Sequence, residues 1–92
     1  MTGTPTSATT TVHVRYFAAA EEAAGTAAEV LTLPAGATGA DLRAAISAAR
    51  GAAVDRILAI SSLLVDGVVL ADPAAPLGEP ARVDVLPPFA GG

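Results

Sequence analysis

Hydrophobic and polar residues alternate in two segments that lie near opposite ends of the chain. In residues 11–17, TVHVRYF, the apolar side chains of Val12, Val14 and Tyr16 occupy every second position. Residues 82–86, RVDVL, repeat this alternation. Successive side chains of a β-strand point to opposite faces of a sheet, so both segments are predicted to be strands with one buried face. We expect the two strands to lie side by side and parallel.

The middle of the chain shows helical spacing instead. Its apolar residues recur at intervals of three and four positions, which predicts a helix with one buried stripe. The stripe is formed by Leu42, Ala45, Ile46 and Ala49. Thr38 and Asp41 have the spacing of a capping box, with Asp in place of the usual Glu or Gln, and Gly51 marks the end of the helix. We expect this to be the main helix.

Three shorter segments fill the gaps in this pattern. Residues 18–24, AAAEEAA, are strong helix formers that stop at Gly25. Residues 28–33, AEVLTL, are typical of a strand. Residues 54–59, VDRILA, are ambiguous, and we interpret them as a short helical turn that leads into a strand.

The clearest local signal is a β-hairpin. Asp66 and Gly67 join two β-prone runs, SLLV and VVL. A two-residue type I′ turn requires positive φ at both positions, which Asp and Gly tolerate best. A proline-rich loop over 71–81 separates this hairpin from the last strand.

These elements together predict an α+β fold, with a mixed sheet of about five strands and one main helix packed on one face. Residues 1–10 are expected to be a disordered leader, 11–86 the single domain, and 87–92 a flexible tail ending in Gly-Gly. Leu42 and Ile46 are expected to be buried. So are most of the apolar strand residues, namely Val12, Val14, Leu31, Leu33, Leu64, Val83 and Val85.

Composition and charge narrow the classes of function. The 92 residues contain no cysteine, which excludes disulfides, thiolate catalysis and cysteine-ligated zinc. The net charge is −4, with five arginines and no lysine, which argues against nucleic-acid binding and excludes a P-loop. The chain shows no signal-peptide pattern and no run of roughly 18 apolar residues. We therefore expect a cytoplasmic protein with no membrane partner.

The polar residues that stand out have simple structural interpretations. His13 is the only histidine, and a surface position on a strand explains it better than catalysis or metal binding. Glu21 and Glu22 are adjacent on a helix, so their carboxylates diverge and cannot act as a catalytic pair. Asp66 is interpreted as a turn former, and Asp84 as a solvent-facing strand residue. No side chain is therefore predicted to bind a cofactor or a metal.

The last seven residues, LPPFAGG, differ in character from the rest. Pro87 and Pro88 keep the backbone extended and remove two amide donors, so strand pairing should end at Leu86. Beyond Phe89 the chain is narrow, with only Ala90, Gly91 and Gly92. Such an arm could present a terminal carboxylate inside the active site of another protein, or it could be an ordinary frayed end. The tail by itself leaves both interpretations open.

Several motifs together resemble one family from about residue 11 to residue 92. These are VRYFAAAEEAAGT, LPAGATGADL, LLVDGVVLADPAAPL and VDVLPPFAGG, of which the terminal Pro-Pro-x-x-Gly-Gly is the most specific. In this order they resemble the MoaD-type small subunits of molybdopterin synthase, within the MoaD/ThiS group of ubiquitin-like sulfur carriers. The segment LGEPAR departs from the turn that the family often has before its last strand, which implies a local loop change.

The resemblance implies a β-grasp fold and a carrier mechanism. Gly92, preceded by Gly91, would be adenylated by a MoeB-type enzyme that uses ATP-Mg, and then converted to a thiocarboxylate. A cysteine desulfurase or rhodanese-type protein would supply the sulfur. The tail would then enter a MoaE-type large subunit and donate sulfur to cyclic pyranopterin monophosphate. The partner contacts would come from Leu86, Pro87, Pro88, Phe89 and Ala90.

Other functions share the same activation chemistry. Carriers for thiamine or cysteine synthesis also end in Gly-Gly, although RYFAAA and PPFAGG favour the molybdopterin branch. A ubiquitin-like protein modifier would transfer Gly92 to a lysine amine instead of receiving sulfur. A passive interaction domain with a frayed tail is a third alternative.

Overall fold

Eight elements make up the protein, whose structure is a computed structural model that describes residues 9–78 and 81–88. In chain order they are β1 (Thr9–Tyr16), α1 (Ala19–Ala24), β2 (Ala28–Pro34), α2 (Gly39–Arg50), α3 (Ala52–Ile60), β3 (Ser62–Val65), β4 (Val68–Val69) and β5 (Ala81–Leu86). The strands form one sheet in the order β2-β1-β5-β3-β4. β1 and β5 are parallel neighbours at its centre, and the other neighbouring pairs are antiparallel. This is a β-grasp sheet, so the predicted fold and the predicted parallel pair are confirmed.

The two central strands divide their side chains between two faces. Along β1, Val12, Val14 and Tyr16 are buried and the residues between them are exposed. On β5, Val83 and Val85 point to the same buried side. We call this side, which packs against the helices, the covered face. The other side, which carries the exposed residues of β1, is the open face.

The core lies between the covered face and the helices. Leu42 and Ile46 of α2 are fully buried, as predicted. Leu31 and Leu64 are only partly buried, and Ala49, the last residue of the predicted helical stripe, is exposed. Ala49 lies in the last turn of α2, so the stripe that reaches the sheet ends before it.

The second long helix is longer than expected. Residues 54–59 were interpreted as a short helical turn, whereas α3 has nine residues and buries Val54 and Leu58. These two side chains are four positions apart, so they lie on one face of a helix. Ser47 Oγ donates a hydrogen bond of 2.7 Å to Asp55 Oδ1, which fastens α3 to α2. The fold therefore has a second long helix, α3, beside the main helix α2.

The first strand begins earlier than the sequence pattern indicated. Thr9 and Thr10 belong to β1, so the predicted leader over 1–10 is wrong at its last two residues. Thr10 is buried, and its hydroxyl donates a hydrogen bond of 3.2 Å to the carbonyl of Gly78. Residues 1–8 lie outside the described part of the chain.

The local signals for turns and caps are confirmed. Thr38 and Asp41 form the reciprocal hydrogen bonds of a capping box. Asp66 and Gly67 have φ values of 50° and 86°, as a type I′ hairpin turn requires. Gly25 ends α1 in the left-handed conformation.

Across residues 9–78 and 81–88, no helix combines the length and apolar character needed to cross a bilayer.

Candidate functional site

The candidate site is the place where the tail leaves the sheet, which we call the tail root (Leu86–Pro88). Leu86 is the last residue of β5 and lies opposite Ser62 of β3, so strand pairing ends where it was predicted to end. Leu86 and Pro87 are half-buried, and Pro88 is exposed. The remaining predicted site residues, Phe89, Ala90, Gly91 and Gly92, lie outside the described residues, so their roles stay predictions.

Phe17 lies beside the tail root because β1 and β5 run in parallel. Its backbone N–H donates a hydrogen bond of 3.2 Å to the carbonyl of Val85. Phe17 is 36% exposed, which places an aromatic residue at the surface one position past the paired residues Tyr16 and Val85. Sequence analysis assigned no role to this ring, although the motif RYFAAA contains it.

The residue after Phe17 has an unusual backbone conformation. Ala18 has φ 51° and ψ −125°, and Ala20 N–H donates to the Phe17 carbonyl at 3.0 Å across the resulting turn. This is the geometry of the first central residue of a type II′ turn, where glycine is usual. A residue with a side chain is strained there by about 1–3 kcal/mol. The strained residue directly follows Phe17, whose backbone N–H bonds to Val85 just before the tail root.

An ion pair on the open face joins the two central strands just before the tail root. Arg15 Nε and Nη2 donate to Asp84 Oδ1 and Oδ2 at 2.9 and 3.0 Å. The guanidinium carbon of Arg15 also lies 5.3 Å from the centre of the Phe17 ring. The hydrogen bond to Asp84 raises the pKa of Arg15. Asp84 does point to the open face as predicted, but it is paired there, and its side chain is only 23% exposed.

A second polar network lies under the same end of the sheet, on the covered side. The Tyr16 hydroxyl donates to Glu29 Oε2, and Arg50 Nε and Nη2 donate to the two Glu29 oxygens at 3.1 and 2.8 Å. Arg50 Nη1 also donates to the carbonyl of Ala24 at 3.1 Å. Burial, and then the bond to Glu29, raises the pKa of Tyr16. The bond from Arg50 lowers the pKa of Glu29, although burial opposes this. The network ties β1 to β2, α1 and α2.

The other residues considered in the sequence have the expected surroundings. His13 is exposed on the open face, and Glu21 and Glu22 lie in the first turn of α1. Asp66 forms the hairpin turn, and its Oδ1 also accepts a hydrogen bond of 3.0 Å from the backbone N–H of Arg82. Within 9–78 and 81–88, no cluster of three or more His, Cys, Asp or Glu side chains forms a metal site.

Sequence reasoning missed both polar networks. The alternation placed Arg15 on the open face but did not show that β1 pairs with β5 in the register that sets it opposite Asp84. The alternation places Tyr16 on the same face as Val12 and Val14, and a buried phenol usually has a hydrogen-bond partner. That preference was a signal that a polar partner lies near Tyr16, but it did not identify Glu29 or Arg50.

Comparison with known proteins gives a family match over most of the chain. The model of the ThiS family matches residues 14–92. No curated protein matches the chain.

Three solved structures of similar fold are informative. Small archaeal modifier protein 1 from Haloferax volcanii is 20% identical with a TM-score of 0.75, over 87% of this chain and 99% of that one.

The other two structures concern molybdopterin-converting factor. A Pyrococcus furiosus protein provisionally described as its subunit 1 is 24% identical with a TM-score of 0.71, over 87% of this chain and 99% of that one. A chain of the Helicobacter pylori complex of subunits 1 and 2 is 22% identical with a TM-score of 0.62, over 89% and 99%. At these identities the three structures show a shared fold.

Proposed function

Because the chain belongs to the ThiS family, we propose that it is a sulfur carrier that acts as the small subunit of molybdopterin synthase. The sulfur is carried on Gly92, and the chain is not a catalyst by itself. The observation that supports this proposal is the way β5 ends. β1 pairs with β5 as far as Val85 and β3 pairs with it as far as Leu86, and six residues follow in the sequence.

This ending suits delivery of the chain terminus to a distant active site. The strand is anchored in the core by Val83 and Val85, which are fully buried. From Pro87 to Gly92 an extended chain spans roughly 20 Å at about 3.3 Å per residue. A partner that covers the tail root could therefore receive the Gly92 carboxylate deep in a cleft while the folded domain stays outside.

The proposed chemistry requires activation, because a carboxylate is a poor electrophile. A Gly92 oxygen attacks the α-phosphorus of ATP in a MoeB-type enzyme, which releases pyrophosphate and leaves an acyl adenylate. The outer sulfur of a persulfide on a cysteine desulfurase or rhodanese-type donor then attacks the acyl carbon and displaces AMP. A second thiol reduces the resulting acyl disulfide, which releases the thiocarboxylate and leaves a disulfide between the two thiols. The thiocarboxylate product is an ionised sulfur nucleophile. It transfers its sulfur to cyclic pyranopterin monophosphate held by a MoaE-type large subunit, a partner that the Helicobacter pylori complex suggests.

A protein modifier is the second candidate function, and the similarity to small archaeal modifier protein 1 favours it. Activation of Gly92 would be the same, but the acceptor would be a lysine amine. Carriers for thiamine or cysteine synthesis likewise differ from the first proposal at the acceptor step. The acceptor therefore distinguishes these functions.

The loading step is tested by intact mass spectrometry. The chain is incubated with a MoeB-type enzyme, ATP-Mg, a cysteine desulfurase and cysteine. We expect the mass to increase by the exchange of one oxygen for sulfur, located on the C-terminal peptide. Deleting Gly92, or adding one residue after it, should abolish loading because the reacting carbon is displaced by several ångströms. Equal loading of these variants would rule out the carrier proposal.

The acceptor step then separates the candidates. The loaded chain is mixed with a MoaE-type subunit and cyclic pyranopterin monophosphate, and molybdopterin is the expected product. Thiazole formation or conjugation to lysine, without molybdopterin, would replace the first proposal with one of the alternatives. In the same assay Phe89→Ala should weaken complex formation, because an apolar ring on the tail would anchor it to the partner. Its unfolding midpoint should stay unchanged.

A further inference from the structure

The open face of the sheet carries a shallow groove of about 660 Å³ that crosses β2, β1 and β5 and reaches the hairpin turn. The groove lies on the same side of β5 as Asp84, just before the tail root. Two arginines and three carboxylates line it, namely Arg15, Arg82, Glu29, Asp66 and Asp84. The groove therefore carries charges of both signs.

Most of these charges are already satisfied within the chain. Arg15 and Asp84 neutralise each other through two hydrogen bonds. Asp66 Oδ1 accepts from the backbone N–H of Arg82, so that carboxylate is tied to the backbone of β5. Neither pair involves the guanidinium of Arg82.

Arg82 is different from the other charged groups of the groove. Within 9–78 and 81–88, no carboxylate lies within 4.0 Å of its guanidinium, and the guanidinium makes no hydrogen bond. Its neighbour across the parallel pair is His13, which in turn lies opposite Val30 of β2. Val30 is 59% exposed. The cation thus lies in a row with an imidazole and an apolar side chain, all on the open face.

We infer that Arg82, together with His13, recognises a carboxylate on the MoeB-type adenylating enzyme that receives the tail. The inference rests on the proposed function, because that function requires a partner at the tail root. Arg82 lies four residues before Leu86, which is about 13 Å along a strand. A partner surface that holds the tail root and extends this far over the open face covers Arg82. A covered guanidinium requires hydrogen-bond acceptors, and a carboxylate both accepts from two of its N–H groups and neutralises its charge.

The charge pattern favours a protein carboxylate over a phosphate or a nucleic acid. A polyanion that followed the groove would approach Asp66 as well as Arg82, and the net charge of the whole chain is −4. A single aspartate or glutamate, placed opposite Arg82, meets the fork of the guanidinium without approaching Asp66. The exposed Val30, on the other side of His13 from Arg82, adds an apolar contact of the kind found in protein interfaces.

The test measures the affinity of the chain for a MoeB-type adenylating enzyme, without ATP, by isothermal titration calorimetry. We expect Arg82→Gln to raise Kd about tenfold and Arg82→Glu to raise it further, because an interfacial charge pair is lost or reversed. Arg56→Gln and Arg56→Glu are matched controls. Arg56 is an exposed arginine of α3 for which no ion pair is found in the described residues. These controls should change Kd less than about twofold.

Further measurements separate the possible results. Thermal unfolding shows that each variant is folded, and the loading assay reports KM and kcat. We expect the Arg82 variants to raise KM at an unchanged kcat. An unchanged Kd for both Arg82 variants overturns the inference and leaves the carrier proposal intact if loading persists. If the wild-type chain binds but is not loaded, the carrier proposal fails, and the Kd values of the Arg82 variants still test the inference about Arg82. If the wild-type chain does not bind the enzyme at all, the inference about Arg82 is also overturned. Titration with inorganic phosphate should leave the Arg82 side-chain NMR signals unchanged, and saturable binding of phosphate there would contradict a protein carboxylate.

Discussion

The two faces of β1 and β5 are made from alternating residues of the same short segments, yet they are held in different ways. On the covered face, Val12, Val14, Val83 and Val85 are fully buried against the helices. On the open face, Arg15 of β1 and Asp84 of β5 form an ion pair across the two strands at the surface. Burial of apolar area is the larger energy, at about 25 cal/mol per Å², whereas exposed ion pairs contribute little. The covered face therefore maintains the fold, and the residues of the open face are available for contacts with a partner.

The largest expected effect lies on the covered side. Ile46→Ala should lower the free energy of unfolding by about 2–5 kcal/mol, because it removes a fully buried side chain and leaves a cavity. Urea denaturation measures the loss. Ile60→Ala is the matched control, since Ile60 is 62% exposed at the end of α3. This control should change stability by less than about 0.5 kcal/mol. Similar losses for both variants would contradict the comparison of the two faces.

A smaller effect is expected from Glu29→Gln, and it should depend on pH. The pKa of Glu29 is lowered in the folded state, chiefly by Arg50, so its ionised form stabilises the fold. This contribution is present above the ordinary pKa of 4.5 and is lost as the pH falls through the lower, folded-state value. Denaturation at pH 7 should show the variant less stable than the wild type, and the gap should close below about pH 4.5.

The control for this effect is Glu21→Gln. Glu21 is exposed on α1, and its substitution should change the free energy of unfolding at pH 7 by less than about 0.5 kcal/mol. A gap between Glu29→Gln and the wild type that persists unchanged to low pH would mean that the network stabilises the fold through shape and not through charge.

The strained backbone of Ala18, between β1 and α1, should give a stabilising substitution. Ala18→Gly should raise the free energy of unfolding by about 1 kcal/mol, because glycine adopts this positive φ without strain. Ala19→Gly, one residue later in the first helical position, should lower it by about 0.5–1 kcal/mol. Thermal unfolding of the two variants measures the opposite signs. Destabilisation by both would show that Ala18 is not strained.

The smallest expected effect concerns the open face. Arg15→Gln removes the cation of the pair with Asp84, but the Arg15 side chain is 64% exposed, so screening by water leaves little to lose. We expect no measurable change in the urea midpoint. A loss as large as that of Ile46→Ala would show that the open face also maintains the fold.

The sequence by itself determined the features that depend on neighbouring residues. The capping box of Thr38 and Asp41, the hairpin turn at Asp66 and Gly67, and the alternation in β1 were all predicted and confirmed. Each of them depends on dihedral preferences or hydrogen bonds within a few positions of the chain, so the residue types are sufficient. The β-grasp topology was predicted from the resemblance to a known family, which rests on the order of four motifs along the chain. The strand end at Leu86 was also readable, since two prolines follow it.

Only the tertiary structure decided which residues meet across the fold. Alternation assigns side chains to a face, but a shift of two residues between parallel strands keeps every face the same. The register that brings Arg15 to Asp84, and sets Arg82 opposite His13, is therefore set by packing of the whole core. The link from Tyr16 through Glu29 to Arg50 likewise requires three elements, β1, β2 and α2, to be in place at once. These contacts join residues far apart in sequence, and no local pattern records them.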